Sequence, residues 1–253
     1  MSPASAPTTT WSAQAYSGAV ISFEDDFQTN MGWSVTGNAT EGSWVRVTPS
    51  EGGNRCDSPT DADGSGICYV TGNSGTEDVD GGTTTLSSPA MTIGDNSSLS
   101  YYRWYNNGAN CNGADPNNDY FYVDISVDGG GWTNLETVGP VDQSSGGWYH
   151  IEHVLSDVVP AGSESIQVRF VCGDLGSGSI IEASVDGVSI SESYCDEVSC
   201  VGDVSGDGTV DVTDILAVIG AWGNTSGPED VNQDGIVDVS DVLVVVGAWG
   251  ACP

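Results

Sequence analysis

Two stretches of this chain repeat each other. Asp203–Gly223 reads DVSGDGTVDVTDILAVIGAWG and Asp230–Gly250 reads DVNQDGIVDVSDVLVVVGAWG, offset by 27 residues (230 − 203) and identical at about two-thirds of positions. Internal similarity at a fixed period means one structural unit used twice. Each copy opens on a twelve-residue stretch with oxygen-bearing residues at positions 1, 3, 5, 7, 9 and 12. In the first these are Asp203, Ser205, Asp207, the Thr209 carbonyl, Asp211 through water, and Asp214; in the second Asp230, Asn232, Asp234, the Ile236 carbonyl, Asp238 and Asp241. Ca²⁺ takes six to eight hard oxygen ligands, and a loop of this length delivers them at these positions. Gly208 and Gly235 stand at position 6, where the loop turns sharply. Val210 and Val237 at position 8 suit a short pairing between the two loops. The expectation is two bound Ca²⁺ ions, each loop followed by a helix.

These loops resemble the type I dockerin of cellulosome proteins, over about residues 200–252. The resemblance implies helices that bind a cohesin domain, with loop positions 10 and 11 prominent: Val212 and Thr213, Val239 and Ser240. One departure matters. The segments ILAVIGAW and VLVVVGAW carry no charge, where that family's recognition face usually has Lys or Arg. Helices apolar nearly all round need covering by protein. Cys200 and Cys252 bracket the repeat pair and are expected to clasp it with a disulfide.

The charge balance narrows the partners. There are 36 acids against four cations, all Arg, for a net charge of −32. Such a chain repels nucleic acid and anionic membranes, and divalent cations are its natural counterions. No stretch is long enough to span a bilayer. Seven Cys without a CxxC pair, in a Gly-rich chain, point to an oxidising, extracellular setting. The start, MSPASAPTTTWSAQAY, has neither a charged nor an apolar leader region, so a secreted form is expected to have had its signal peptide removed or left out of this sequence.

Four segments are expected from the composition: an arm (1–17), a sandwich (18–191), a linker (192–202) and the repeat module (203–253). The arm is rich in Ser, Thr, Ala and Pro and lies on its own domain or adds to a neighbouring copy as a strand. In the sandwich, alternation in SWVRVT, SYYRWY, YFYVDISV and SIQVRFVC, with turn signals such as NNGAN and SVDGGGW between, predicts roughly ten short strands. The fold class is mostly β, a jelly-roll β-sandwich with a small α module behind it.

The stretch from FEDDFQTNMGWSV through DADGSGICYVTGN to SIIEASVDGVSI resembles the MAM-like jelly rolls, similar to carbohydrate-binding modules, of secreted bacterial proteins. That resemblance implies a structural Ca²⁺ shared by an early acid and a late Asp. Glu24 and Asp186 match by position, and Asp61 and Asp63 of the DADGSG loop are further candidates. Cys56 and Cys68 flank that loop and are expected to bridge it; Cys111 is expected to reach Cys172, leaving Cys195 free or between subunits.

Tyr102, Trp104, Trp132 and Trp148 are candidates for a sugar platform, although aromatics on an alternating strand usually face the core. Asn38, Asn96 and Asn224 stand in glycosylation sequons. Catalysis finds little support. The two histidines, His150 and His153, fall on opposite faces of a strand, and HExxH, GxSxG, P-loop and GxGxxG motifs are missing. The expected function is a non-catalytic, calcium-binding extracellular assembly protein, self-associating through the 1–17 arm. The alternatives are a carbohydrate-binding module attached by a dockerin to a cohesin scaffold, and an accessory fragment of a secreted peptidase or glycosidase.

Overall fold

A computed structural model describes residues 18–50, 55–111, 113–194 and 200–252. The expected 1–17 arm and Cys195 lie outside these residues. The chain divides into a unit over Gly18–Tyr194 and a C-terminal one.

The first unit is two antiparallel sheets packed face to face. One has the order β10 (Tyr149–Val154), β7 (Ser97–Asn106), β12 (Glu182–Tyr194), β4 (Cys68–Thr71), β3 (Trp44–Val47). β1 (Gly18–Asp25) pairs with the far end of β12, over Val188–Tyr194, while β4 pairs at Ser184 and Val185. The second sheet has the order β2 (Ser34–Gly37), β5 (Gly82–Ser87), β11 (Ser165–Asp174), β8 (Phe121–Val127), β9 (Trp132–Val138), with β6 (Met91–Thr92) on β11. Period-two alternation sends Leu99, Tyr101 and Tyr105 inward from β7, and Val168, Phe170 and Cys172 inward from β11. The sandwich has twelve strands rather than ten, and β12 runs to Tyr194, beyond the expected boundary at 191.

One inward position breaks the apolar pattern. Arg103 of β7 is buried between the sheets, and its guanidinium pairs with Glu136 of β9, which also accepts from Tyr101 Oη at 2.8 Å. Tyr149 covers the guanidinium at 5.2 Å. A buried charge needs such a partner, and this one ties the two sheets together.

The C-terminal unit has two short helices, α1 (Val212–Gly220) and α2 (Val239–Gly247). Asp211 and Asp238 cap them, and Asp214 and Asp241 reach back to the amides of those same caps. The core is Val210, Val218, Val237 and Val245, all fully buried. The expected loop-to-loop pairing is not what forms. β13 (Thr209–Val210) pairs with β14 (Gly250–Ala251), after α2. Val237 exchanges hydrogen bonds with Gly223 and Asn224, after α1. Each loop therefore pairs with the end of the other repeat's helix, and the 27-residue offset becomes an approximate two-fold symmetry. A disulfide joins Cys200 to Cys252. Among the described residues no helix is long and apolar enough to cross a membrane.

Candidate functional site

In the C-terminal loops the oxygens are drawn inward by backbone amides. Asp203 Oδ1 accepts from Gly206 N and Asp207 N, and its Oδ2 accepts from Gly208 N. Asp214 accepts from Ser205 N and Asp211 N, both at 2.8 Å, and these amides hold its carboxyl below the usual carboxylate range. The second loop repeats the pattern: Asp241 takes Asn232 N and Asp238 N, and Asp230 takes Gly235 N. Asp234 and Asp207 accept from the amides two residues on, those of Ile236 and Thr209. Asp230 Oδ1 is buried and has no hydrogen-bond partner. A lone carboxylate oxygen, buried in a loop of oxygen donors, fits a hard cation.

A second cluster lies on the outer face of the β12 sheet. The chain from Arg55 to Gly66 crosses this face as a strap. Trp104 Nε1 donates to the Cys56 carbonyl at 3.1 Å and Trp148 Nε1 to the Thr60 carbonyl at 3.0 Å. Ser58 and Ser184 share a 2.7 Å hydrogen bond. At a bulge in β12, where Gly187 takes φ +53°, Asp186 turns under the strap and accepts from Ala62 N and Asp63 N. Carboxylate oxygens of Asp61, Asp63 and Asp186 lie within 4.8 Å of one another. Burial, with Asp63's charge nearby, pushes the Asp186 carboxyl up to about 7, and a cation relieves that combination. Glu24 is not in this trio; it lines the adjoining depression with Asp26, Asp63 and Tyr102.

The expected Cys56–Cys68 and Cys111–Cys172 bridges are wrong. Cys56 joins Cys111, with Cα atoms 5.9 Å apart, and Cys68 and Cys172 are free, buried thiols. The reason is facing. Cys68 and Cys172 point into the core from β4 and β11, where burial pushes both thiols up, while Cys56 belongs to the strap outside.

The same strap decides the aromatic candidates. Trp104 and Trp148 spend their indole N–H groups holding it, and Tyr102 packs on His150 at 4.7 Å. Trp132 is different. It lies on the outer face of the other sheet, 36% exposed, with the Arg169 guanidinium 4.6 Å from its ring centroid. Arg169 is held by Asp124 at 2.9 Å, and Asp124 accepts from Asn134 Nδ2. Further along stand Tyr122 and Tyr120, exposed and stacked at 5.9 Å. Tyr122 sits opposite Thr137, and Trp132 opposite Ser126. Sequence reasoning missed the two tyrosines, although YFYVDISV alternates and puts Tyr120 and Tyr122 on the face opposite Phe121. His150 and His153 fall on opposite faces of β10, against Tyr102 and Tyr101.

The helices of the C-terminal unit leave an apolar stripe each. Val212, Leu216, Ile219 and Trp222 are exposed on the first, and Val239, Leu243, Val246 and Trp249 on the second. The sets are related residue by residue through the 27-residue offset.

No protein-family model and no curated protein matches the chain. Among solved structures it is similar to the K3 cleaved adhesin domain of Lys-gingipain from Porphyromonas gingivalis, with 18% identity over 69% of this chain and 99% of that one and a TM-score of 0.44. The K1 cleaved adhesin domain of the same protein gives 15% over 68% and 97%, TM-score 0.42. The family 11 carbohydrate-binding module from Clostridium thermocellum, in complex with a β-1,3-1,4-mixed-linked tetrasaccharide, gives 11% over 72% and 98%, TM-score 0.37. At such scores the functional reading has to come from this chain's own residues.

Proposed function

We propose that this is a non-catalytic, extracellular binding protein whose sandwich holds a polysaccharide on the open face of the β8–β9 sheet, and whose calcium-folded C-terminal module attaches it to a protein scaffold of cohesin type. The open face carries the reading. Trp132 and the Tyr120–Tyr122 pair stand about 14 Å apart along the strand, taking roughly 3.4 Å per residue. Arg169, Asp124, Asn134 and Thr137 stand between them. Apolar ring faces with a few fixed donors and acceptors suit a chain of sugar rings, which offers C–H faces for stacking and hydroxyls for hydrogen bonds.

In the C-terminal module the named oxygens of Asp203, Ser205, Asp207, Thr209, Asp211 and Asp214, and their counterparts from Asp230 to Asp241, would hold one Ca²⁺ per loop. Asp61, Asp63 and Asp186 would hold a third beneath the strap. The two apolar stripes supply equivalent docking faces, and the disulfides suit the oxidising setting outside the cell.

The test is a glycan array probed with the full chain, followed by calorimetry on the strongest glycan. Trp132→Ala should weaken binding at least about fivefold, since stacking on one aromatic is worth on the order of 1–3 kcal/mol. Silence of the wild-type chain across plant, algal and bacterial glycans, or a Trp132→Ala affinity equal to wild type, would refute the reading.

A further inference from the structure

At one end of the sandwich the 107–120 segment meets the chain after β11. Ser179 Oγ donates to the Asp115 carbonyl at 2.7 Å, and Leu175 N donates to Asp119 Oδ1 at 3.1 Å. Asn117 N donates to the Asn107 carbonyl at 2.7 Å. The buried polar groups here are poorly matched by protein. Asn107 is 1% exposed and neither its Oδ1 nor its Nδ2 has a hydrogen-bond partner. The fully buried Tyr105 hydroxyl leans on the Asn107 side chain, within reach of Asp119's charge, but makes no well-formed hydrogen bond there. Asp174, 7% exposed, takes the Ser179 and Gly81 amides on its carboxyl, yet its Oδ1 is left without a partner. Four of the eight such atoms among the described residues thus belong to Tyr105, Asn107 and Asp174. A buried polar atom left unmatched is unfavourable, so such places hold ordered water or an ion.

Charge decides between the two. Asp119 and Asp174 are both buried, and burial followed by Asp119's charge raises the Asp174 carboxyl. The chain has no side-chain cation left for them. It has no Lys and four Arg. Arg55 pairs with Asp78, Arg103 with Glu136 and Arg169 with Asp124, and Arg46 donates to the Phe27 carbonyl. Two neighbouring buried carboxylates without a counter-charge call for one from solution.

We infer that a divalent cation with the ligand preference of Ca²⁺ is held at this end of the sandwich by Asp119, Asp174 and the Asn107 side-chain oxygen. The donors are hard oxygens, which select Ca²⁺ over softer transition metals. The core thiol of Cys172 is kept protonated by its burial and offers no thiolate. The ion would tie the 107–120 segment to the end of β11 and so fix Tyr120, the residue after Asp119. The site stands independently of the glycan reading: an ion here with a silent array, or the reverse, would separate the two.

Crystals of the full chain grown with Ca²⁺ and exchanged with Tb³⁺ test it by anomalous diffraction. The expected result is a peak bounded by Asp119, Asp174 and Asn107. Water density alone there, in a crystal whose C-terminal loops carry Tb³⁺, overturns the inference. Native mass spectrometry gives a second readout: Asp174→Asn and Asp119→Asn should each bind one Ca²⁺ fewer than wild type, and an unchanged count in folded variants also overturns it.

Discussion

The buried acids show how far a single residue's chemistry is set by its neighbours. Glu182 is 2% exposed on β12 under the strap, accepts from Thr71 Oγ1 at 3.1 Å, and faces Asp57, with Asp78 and its Arg55 partner close by. Burial first, and the Asp57 charge second, push its carboxyl up to about 11 from 4.5. The native state therefore keeps a proton that the unfolded chain releases above about 4.5. Its stability contribution is whole below that pH and falls as pH climbs toward 11, by at most about 1.4 kcal/mol per pH unit for one proton. Glu182→Gln, which imitates the protonated form, should flatten that decline and be no less stable than wild type at pH 8. Urea titrations from pH 5 to 9 check this; an unchanged slope would refute it. The cysteines give a second prediction at this scale. Non-reducing peptide mapping should recover Cys56 linked to Cys111, and Cys68→Ala with Cys172→Ala should leave that link in place. A Cys56–Cys68 peptide would overturn the assignment. The sequence favoured the shorter loop closure because it shows spacing and hides which side of a sheet each sulfur faces.

Among the elements, the helices and strands were legible to different degrees. Ser97–Asn106 and Ser165–Asp174 alternate so regularly that period alone identifies them. The C-terminal helices follow from the loops before them. What period could not show was coverage. VLVVVGAW looks apolar all round, yet of its residues only Val245 is fully buried while Leu243 stays 66% exposed. The folded module thus sorts one apolar sequence into a core side and a stripe. On the proposed function, the two stripes related by the repeat would each serve the same partner. Leu216→Asp alone, or Leu243→Asp alone, should leave cohesin pull-down within about twofold, whereas the double variant should lose it. A single substitution that abolishes capture of a cohesin binding wild type would show the faces to be inequivalent.

For the whole molecule, size and charge govern stability. The C-terminal unit has four fully buried valines at its core and one disulfide, Cys200–Cys252, too little to hold the two acidic loops folded without ions. The sandwich has a continuous aromatic and aliphatic core between two six-stranded sheets. Chelation at neutral pH should therefore abolish the helical circular-dichroism signal and leave the sheet signal, with the sandwich melting a few degrees lower through loss of the ion proposed beneath the strap. Retention of the helices in excess chelator would contradict calcium-dependent folding. The net charge of −32 acts in the same direction, since divalent ions bound as proposed would relieve self-repulsion. Much of this was written in the primary structure. The oxygen spacing, the 27-residue repeat, the alternation of the strands and the scarcity of cations are local or summed properties, readable without a fold. Tertiary structure alone decided which residues meet. The strap half-covered Trp104 and Trp148 and engaged their indole N–H groups, the opposite sheet left Trp132, Tyr120 and Tyr122 open, and the strand facings chose Cys111 for Cys56. Such outcomes depend on contacts between residues far apart in the chain, and a periodic pattern records only the side of its own strand.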